Sequence, residues 1–163
     1  MKNKLFLVCP FSNMENFIHL KYGEDVFFIS AMATHAHFHD AKYLESVIDF
    51  ISNQQIGEIY IVNDTSCRFL NAVLNGDSTA DSTSEKSIQQ LLVDNYAWIM
   101  QQRTRSEQLK ILANLNIKKQ TFEIRMNERF SSLILQYNIG IKGLITTKSE
   151  NEIVEIKWDV YEF

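Results

Sequence analysis

Residues 25–62, DVFFISAMATHAHFHDAKYLESVIDFISNQQIGEIYIV, decide the architecture. They open with an apolar run at 25–30 and close with another at 58–62, both rich in β-branched and aromatic side chains. Such runs mark strands covered on both faces. Between them Tyr43, Leu44, Val47, Ile48, Phe50 and Ile51 recur at three- and four-residue intervals, which places an apolar stripe along one side of a helix. Asp40 stands where the N-cap of that helix belongs, and Gly57 lies in the joint to the following strand. Strand, helix and strand with short joints form a βαβ unit with parallel strands and a right-handed crossover.

Working outward, residues 4–9 (KLFLVC) read as a strand preceding this unit. The start, MKNKLFLVCPFSN, has no small-residue cleavage site after its apolar stretch and reads as that strand rather than as a signal peptide. Residues 65–75 read as a helix closed by Asn75-Gly76, with Asp64 as its cap. Residues 77–84 (DSTADSTS) form a polar, mobile surface loop. Residues 85–116 are helical, as two helices broken near 103–106. Residues 121–126 (TFEIRM) alternate like a strand, whereas the apolar positions from 127 onward keep helical spacing; period alone leaves 121–126 open. Residues 139–147 and 152–158 are strands around the polar turn 148–151, a hairpin. The expected fold is α/β: one domain over 1–163 with a mainly parallel sheet, flanking helices and a C-terminal β-hairpin.

Composition narrows the function. The 163 residues are 45% hydrophobic and 22% charged, with one Pro and five Gly, which excludes disordered, collagen-like and turn-rich β-sandwich chains. A net charge of −4 leaves no basic face for nucleic acid. No apolar run approaches the ~20 residues of a membrane span. Two cysteines, Cys9 and Cys67, are too few for a disulfide scaffold and fit reduced thiols in a cytoplasmic protein.

In an open α/β sheet, ligands bind beyond the carboxyl ends of the strands. Three sets of reactive residues fall at those ends: Cys9 after the first strand, His35, His37 and His39 after the second, and Asp64 and Cys67 after the third. That convergence points to one site. The cysteines are either buried apolar-like thiols, metal ligands or a disulfide. The alternating histidines would point to one side of an extended segment, as ligands, as proton shuttles or as a solvated loop. Arg68 either binds an anion, such as bicarbonate or another carboxylate, or pairs with Asp64. Phe11 puts an apolar ring near the same strand ends.

With Cys9, Asp64 and Cys67 at this spacing, and with Gly23-Glu24-Asp25-Val26-Phe27, Tyr43-Leu44-Glu45 and Lys142-Gly143-Leu144-Ile145 along the chain, the sequence resembles the β-class carbonic anhydrases. The likeness covers nearly the whole chain, without the family's N-terminal helical arm. It implies a zinc site in which Cys9 and Cys67 match the two Cys ligands and Asp64 falls at the position of the His ligand. It also implies a homodimer. The departures concern chemistry: Phe11 and Asn13 replace the family's Asp–Arg dyad, which orients the zinc-bound hydroxide, and Arg68 replaces a Gly. Two thiolates and a neutral His leave zinc formally neutral, whereas Asp64 in place of His makes the set −1. Such a metal is a weaker Lewis acid, and its bound water has a higher pKa. The expectation is therefore a divergent carbonic-anhydrase-like binding or regulatory module without efficient CO2 hydration, holding a small-molecule or anionic ligand and retaining at most a cysteine-based zinc site. The alternative is a zinc-dependent lyase or hydrolase acting on CO2 or a related small electrophile. Its metal would be held by Cys9, Cys67 and either Asp64 or one of His35, His37 and His39, with Asp64 and Arg68 as candidate catalytic groups.

Overall fold

In a computed structural model, which describes residues 3–36, 38–79 and 81–156, five strands form one sheet in the order β2-β1-β3-β4-β5. The elements run β1 (Asn3–Val8), α1 (Glu15–Tyr22), β2 (Val26–Ser30), α2 (Ala41–Asn53), β3 (Ile56–Asp64), α3 (Arg68–Asn75), α4 (Thr83–Asp94), α5 (Tyr96–Met100), α6 (Arg105–Met126), α7 (Glu128–Tyr137), β4 (Gly140–Thr147) and β5 (Glu152–Ile156). The first four strands are mutually parallel, and β5 returns antiparallel to β4. The expected mixed fold and hairpin are both present; residues 157 and 158 of the anticipated last strand lie outside the described residues.

The central strands are apolar on both sides because both sides are covered. Leu5, Leu7, Ile59 and Ile61 enter the larger core, packed by α2, α3, α4, α6 and α7. Phe6, Val8, Tyr60 and Val62 face the other way, against Met14 and Ile18. Phe6 and Tyr60 stack there at 4.6 Å. The period of two sorts the side chains of each strand between these layers.

One helix is new, one open segment is settled and two local expectations are revised. Helix α1 has no counterpart in the sequence reading, because Ile18 is its one fully buried residue and its apolar stripe is too narrow to declare a period. Residues 121–126 are helical and complete α6: Ile117, Gln120, Thr121 and Ile124 are all buried, so helical spacing prevails over local alternation. Helix α4 begins at Thr83, inside the stretch read as loop, because Ser82 and Glu85 form a reciprocal capping box. Helix α3 begins at Arg68 rather than at residue 65, with Cys67 and not Asp64 at its N-cap. The break near 103–106 is where it was expected, since Thr104 and Glu107 cap the start of α6, but a further break at Asn95 divides the expected first helix into α4 and α5. Asp40 caps α2, accepting from the N–H groups of Lys42 and Tyr43 at 2.9 and 3.0 Å.

Candidate functional site

Strands β1 and β3 are neighbours, yet their connections leave toward opposite faces: α1 joins the smaller core and α3 the larger one. The divergence opens a crevice at their carboxyl ends, the place where α/β sheets bind ligands. Cys9 follows β1 and Cys67 follows β3, so the topology brings the two thiols together there. Both are buried and both are free thiols, which removes the disulfide option in this state. A hydrogen bond from Cys67 to Cys9 brings the Cys9 thiol from its ordinary 9.0 down to about 7. Burial opposes that shift, and the N–H groups of Phe11 and Ala33 assist it; the Ala33 N–H lies 3.3 Å from the Cys9 Sγ. The same hydrogen bond and burial push Cys67 up. The coupling favours the thiolate on Cys9 and keeps the proton on Cys67.

Asp64 ends β3 beside this pair and is 1% exposed, but its carboxylate is closed from within the chain. Oδ1 accepts from the Ser66 N–H at 2.8 Å and from the Ser66 hydroxyl. Oδ2 accepts from the Thr146 hydroxyl at 2.7 Å and from the Lys148 N–H at 3.0 Å. Asp64 and Thr146 are partners in the β3–β4 register, so the carboxylate ties the ends of both strands to the turn that leads into α3. Four donors on two oxygens saturate a carboxylate.

His35 and His39 go elsewhere. His35 Nε2 meets Glu123 Oε2 of α6 at 3.3 Å. That hydrogen bond holds the Glu123 carboxyl below its usual range, against burial, with further attraction from Lys119 and His39. His35 and His39 line a groove of about 380 Å³ with Phe122, Glu123 and Met126. His37 lies outside the described residues. The chain does not enter this segment as the extended run that alternation implied, because a short 3-10 turn at Met32–Thr34 precedes it and His35 is turned onto α6.

Several residues that shape the site were not anticipated. Ala33 and Thr34 hold consecutive positive φ angles of 54° and 62°, in the left-handed region that non-glycine residues rarely occupy. Side chains from two other elements fix this turn. Asn116 of α6 donates to the Ala33 carbonyl and to Asn63 Oδ1, both at 2.9 Å, and Asn63 donates to the Thr34 hydroxyl at 3.2 Å. The signal that could have found this clamp is Asn116 itself, a polar residue on the helix face that also carries Leu109, Leu112 and Ala113.

Phe11 lies 5.6 Å from Phe69, with the rings stacked 28° apart. Together with Arg68 they wall a cleft of about 300 Å³ just outside the thiol pair. Arg68 is exposed and makes no ion pair with Asp64 or with any other of the described residues.

The donor set does not fit a tetrahedral zinc. Two thiols hydrogen-bonded to each other are on hand, the Asp64 oxygens are taken, and the described residues contain no group of three or more His, Cys, Asp or Glu able to hold a metal ion. No helix among those residues is long and apolar enough to cross a membrane.

No protein-family model and no curated protein matches this sequence. Solved structures do match. A mutant of the β-carbonic anhydrase CafD of Aspergillus fumigatus superposes with a TM-score of 0.79 at 14% identity, over 97% of this chain and 90% of that one. CafA of the same fungus gives 0.79 at 19% identity, over 96% and 76%. A tetrameric β-carbonic anhydrase of Sordaria macrospora gives 0.79 at 14% identity, over 96% and 81%. The chain therefore has the β-carbonic anhydrase fold, as the residue resemblance implied.

Proposed function

We propose that this chain uses the β-carbonic anhydrase fold as a small-ligand binding module and does not hydrate CO2. The observation that carries the reading is the Asp64 carboxylate. It occupies the position of the resembled family's His ligand, yet spends both oxygens on Ser66, Thr146 and the Lys148 amide. Phe11 and Asn13 compound this, since neither can orient a hydroxide as the family's Asp–Arg dyad does. A metal that turns water into a nucleophile near neutral pH needs an open, well-oriented position, and none of these groups provides one. What the crevice offers instead is a cation beside an aromatic wall, next to a thiol pair that keeps its own proton.

A second reading retains zinc, because Cys9 and Cys67 do touch. In it, the two thiolates bind the metal and Asp64, or a histidine from the 35–39 segment, completes the set. Asp64 would first have to release its hydrogen bonds, which makes this the costlier arrangement. Self-association accompanies either reading: we infer a homodimer from the resemblance, and one of the similar structures is a tetramer. Free thiols in contact also fit a reducing, cytoplasmic setting.

The test is stopped-flow CO2 hydration by the full chain with equimolar zinc added. The expected rate equals the protein-free background. Hydration well above background that Cys67→Ser abolishes would establish the second reading.

A further inference from the structure

We infer that the cleft beside the thiol pair takes a flat, apolar monocarboxylate, with the carboxylate on Arg68 and the flat face on the Phe11–Phe69 wall; this rests on the reading of the site as a binding cleft. The cleft holds about 300 Å³, the lower end of the range that admits small ligands, and sits at the switch point of the sheet.

Arg68 is the first residue of α3. Its guanidinium has no hydrogen bond, ion pair or ring contact among the described residues, although acidic side chains share the cleft. A guanidinium presents a rigid fork of donors that a carboxylate meets with two parallel hydrogen bonds. A cation left open inside a concave, part-apolar wall points to an anion as the missing partner.

The wall sets the rest of the ligand. Phe11 remains 44% exposed even though its ring stacks on Phe69. Covering that ring removes apolar surface from water and favours a second offset-stacked face. Bicarbonate and acetate carry no such face and gain nothing from it, so this preference differs from that of a CO2 hydrase.

The acidic lining limits the charge. Asp77 and Glu85 share the cleft with Arg68, with Thr79 between them in sequence. Glu85 is committed to Ser78 and Ser82, with its Oε1 3.0 Å from the Ser78 hydroxyl and its Oε2 3.3 Å from the Ser82 N–H. Two carboxylates in the same cleft as one guanidinium repel a second anionic group on the ligand, so dianions such as sulfate and dicarboxylates are disfavoured.

The experiment is calorimetric titration of the full chain with benzoate as the probe, beside acetate, bicarbonate and sulfate. Benzoate is expected to bind with a Kd of about 1 mM or tighter, and the other three at least about tenfold more weakly. Arg68→Gln, at an exposed position, should weaken benzoate at least about tenfold, with Arg68→Lys between the two because it keeps the charge and loses the fork. Phe11→Ala should weaken benzoate several-fold and leave acetate unchanged. Unchanged melting temperatures confirm that the variants fold. Absence of benzoate binding, or binding that neither Arg68→Gln nor Phe11→Ala alters, overturns the assignment. The outcomes separate from those of the hydration assay: CO2 hydration with benzoate held on Arg68 defeats the functional reading alone, and neither hydration nor benzoate binding defeats the ligand alone.

Discussion

Two clusters of chemically capable side chains stand at the carboxyl edge of the sheet, and the chain treats them differently. At the β1–β3 crevice, Cys9 and Cys67 meet because Cys9 directly follows β1 and Cys67 caps α3 just past the end of β3, and parallel pairing of those strands fixes where each one ends. At the end of β2 the histidines follow a turn held at Ala33 and Thr34, which leads the chain toward α6, where His35 meets Glu123. Strand ends placed by sheet register stay together; residues a few positions into a loop go where side chains of other elements take them. The resembled family's zinc-ligand positions all fall at the first cluster, where the Asp64 carboxylate is already held by Ser66, Thr146 and Lys148, and His35 of the second is engaged by Glu123.

The largest expected effect tests whether Asp64 belongs to the scaffold rather than to a metal. Asp64→Ala leaves buried donors from Ser66, Thr146 and Lys148 without an acceptor and should cost about 3–5 kcal/mol in denaturant unfolding. A loss below about 1 kcal/mol would mean that the hydrogen bonds are incidental and the carboxylate is available for other work.

Next comes the thiol pair. The Cys9 thiol should titrate at about 7 by thiolate absorbance, and Cys67→Ala, which removes the donor, should return it toward 9.0. The stability consequence has a definite sign. A thiol lowered in the folded chain contributes stability that is fully present above its unfolded value of 9.0 and is lost as pH falls through about 7. The wild-type chain should therefore gain on Cys9→Ser between those two limits, where Cys67 keeps its proton in both states. A flat difference across that window would break the idea of a coupled pair.

The histidine groove predicts a smaller effect at the acid end. Because His35 holds the Glu123 carboxyl below its ordinary 4.5, the pair's contribution is present above that value and is lost as pH falls through the lower folded one. Glu123 is 40% exposed at the side chain, so Glu123→Gln should cost under about 1 kcal/mol at neutral pH and nothing in strong acid. Thermal melts of both proteins across the acid range check this. A cost that persists unchanged in acid would assign the effect to packing.

Smallest is the strained turn. Ala33→Gly relieves a positive φ at 54° and should stabilise the chain by up to about 1 kcal/mol, since the relief exceeds the added freedom of the unfolded glycine. Destabilisation would show that the alanine methyl packs more usefully than the turn is strained.

The βαβ unit and the hairpin were legible because apolar runs and a three-four stripe state their own periods. Helix α1 was not, since it buries Ile18 alone along its length. The meeting of the cysteines was legible too, from two strand ends and a spacing shared with a known family. What Asp64 and His35 do there was not. Their partners, Thr146 and Lys148 for one and Glu123 for the other, lie far along the chain, and no local pattern announces a hydrogen bond across that distance. The Asn116 clamp was missed as well, although a polar residue in a core register is a signal that could have found it.

We propose that this fold's metal site is not assembled here. Metal content per chain, by mass spectrometry on untagged protein purified without chelator and dialysed after zinc addition, tests it most directly. The account predicts zinc well below one equivalent per chain, unchanged by Cys9→Ser or Cys67→Ser. One tightly held zinc per chain, lost in either variant, would contradict it.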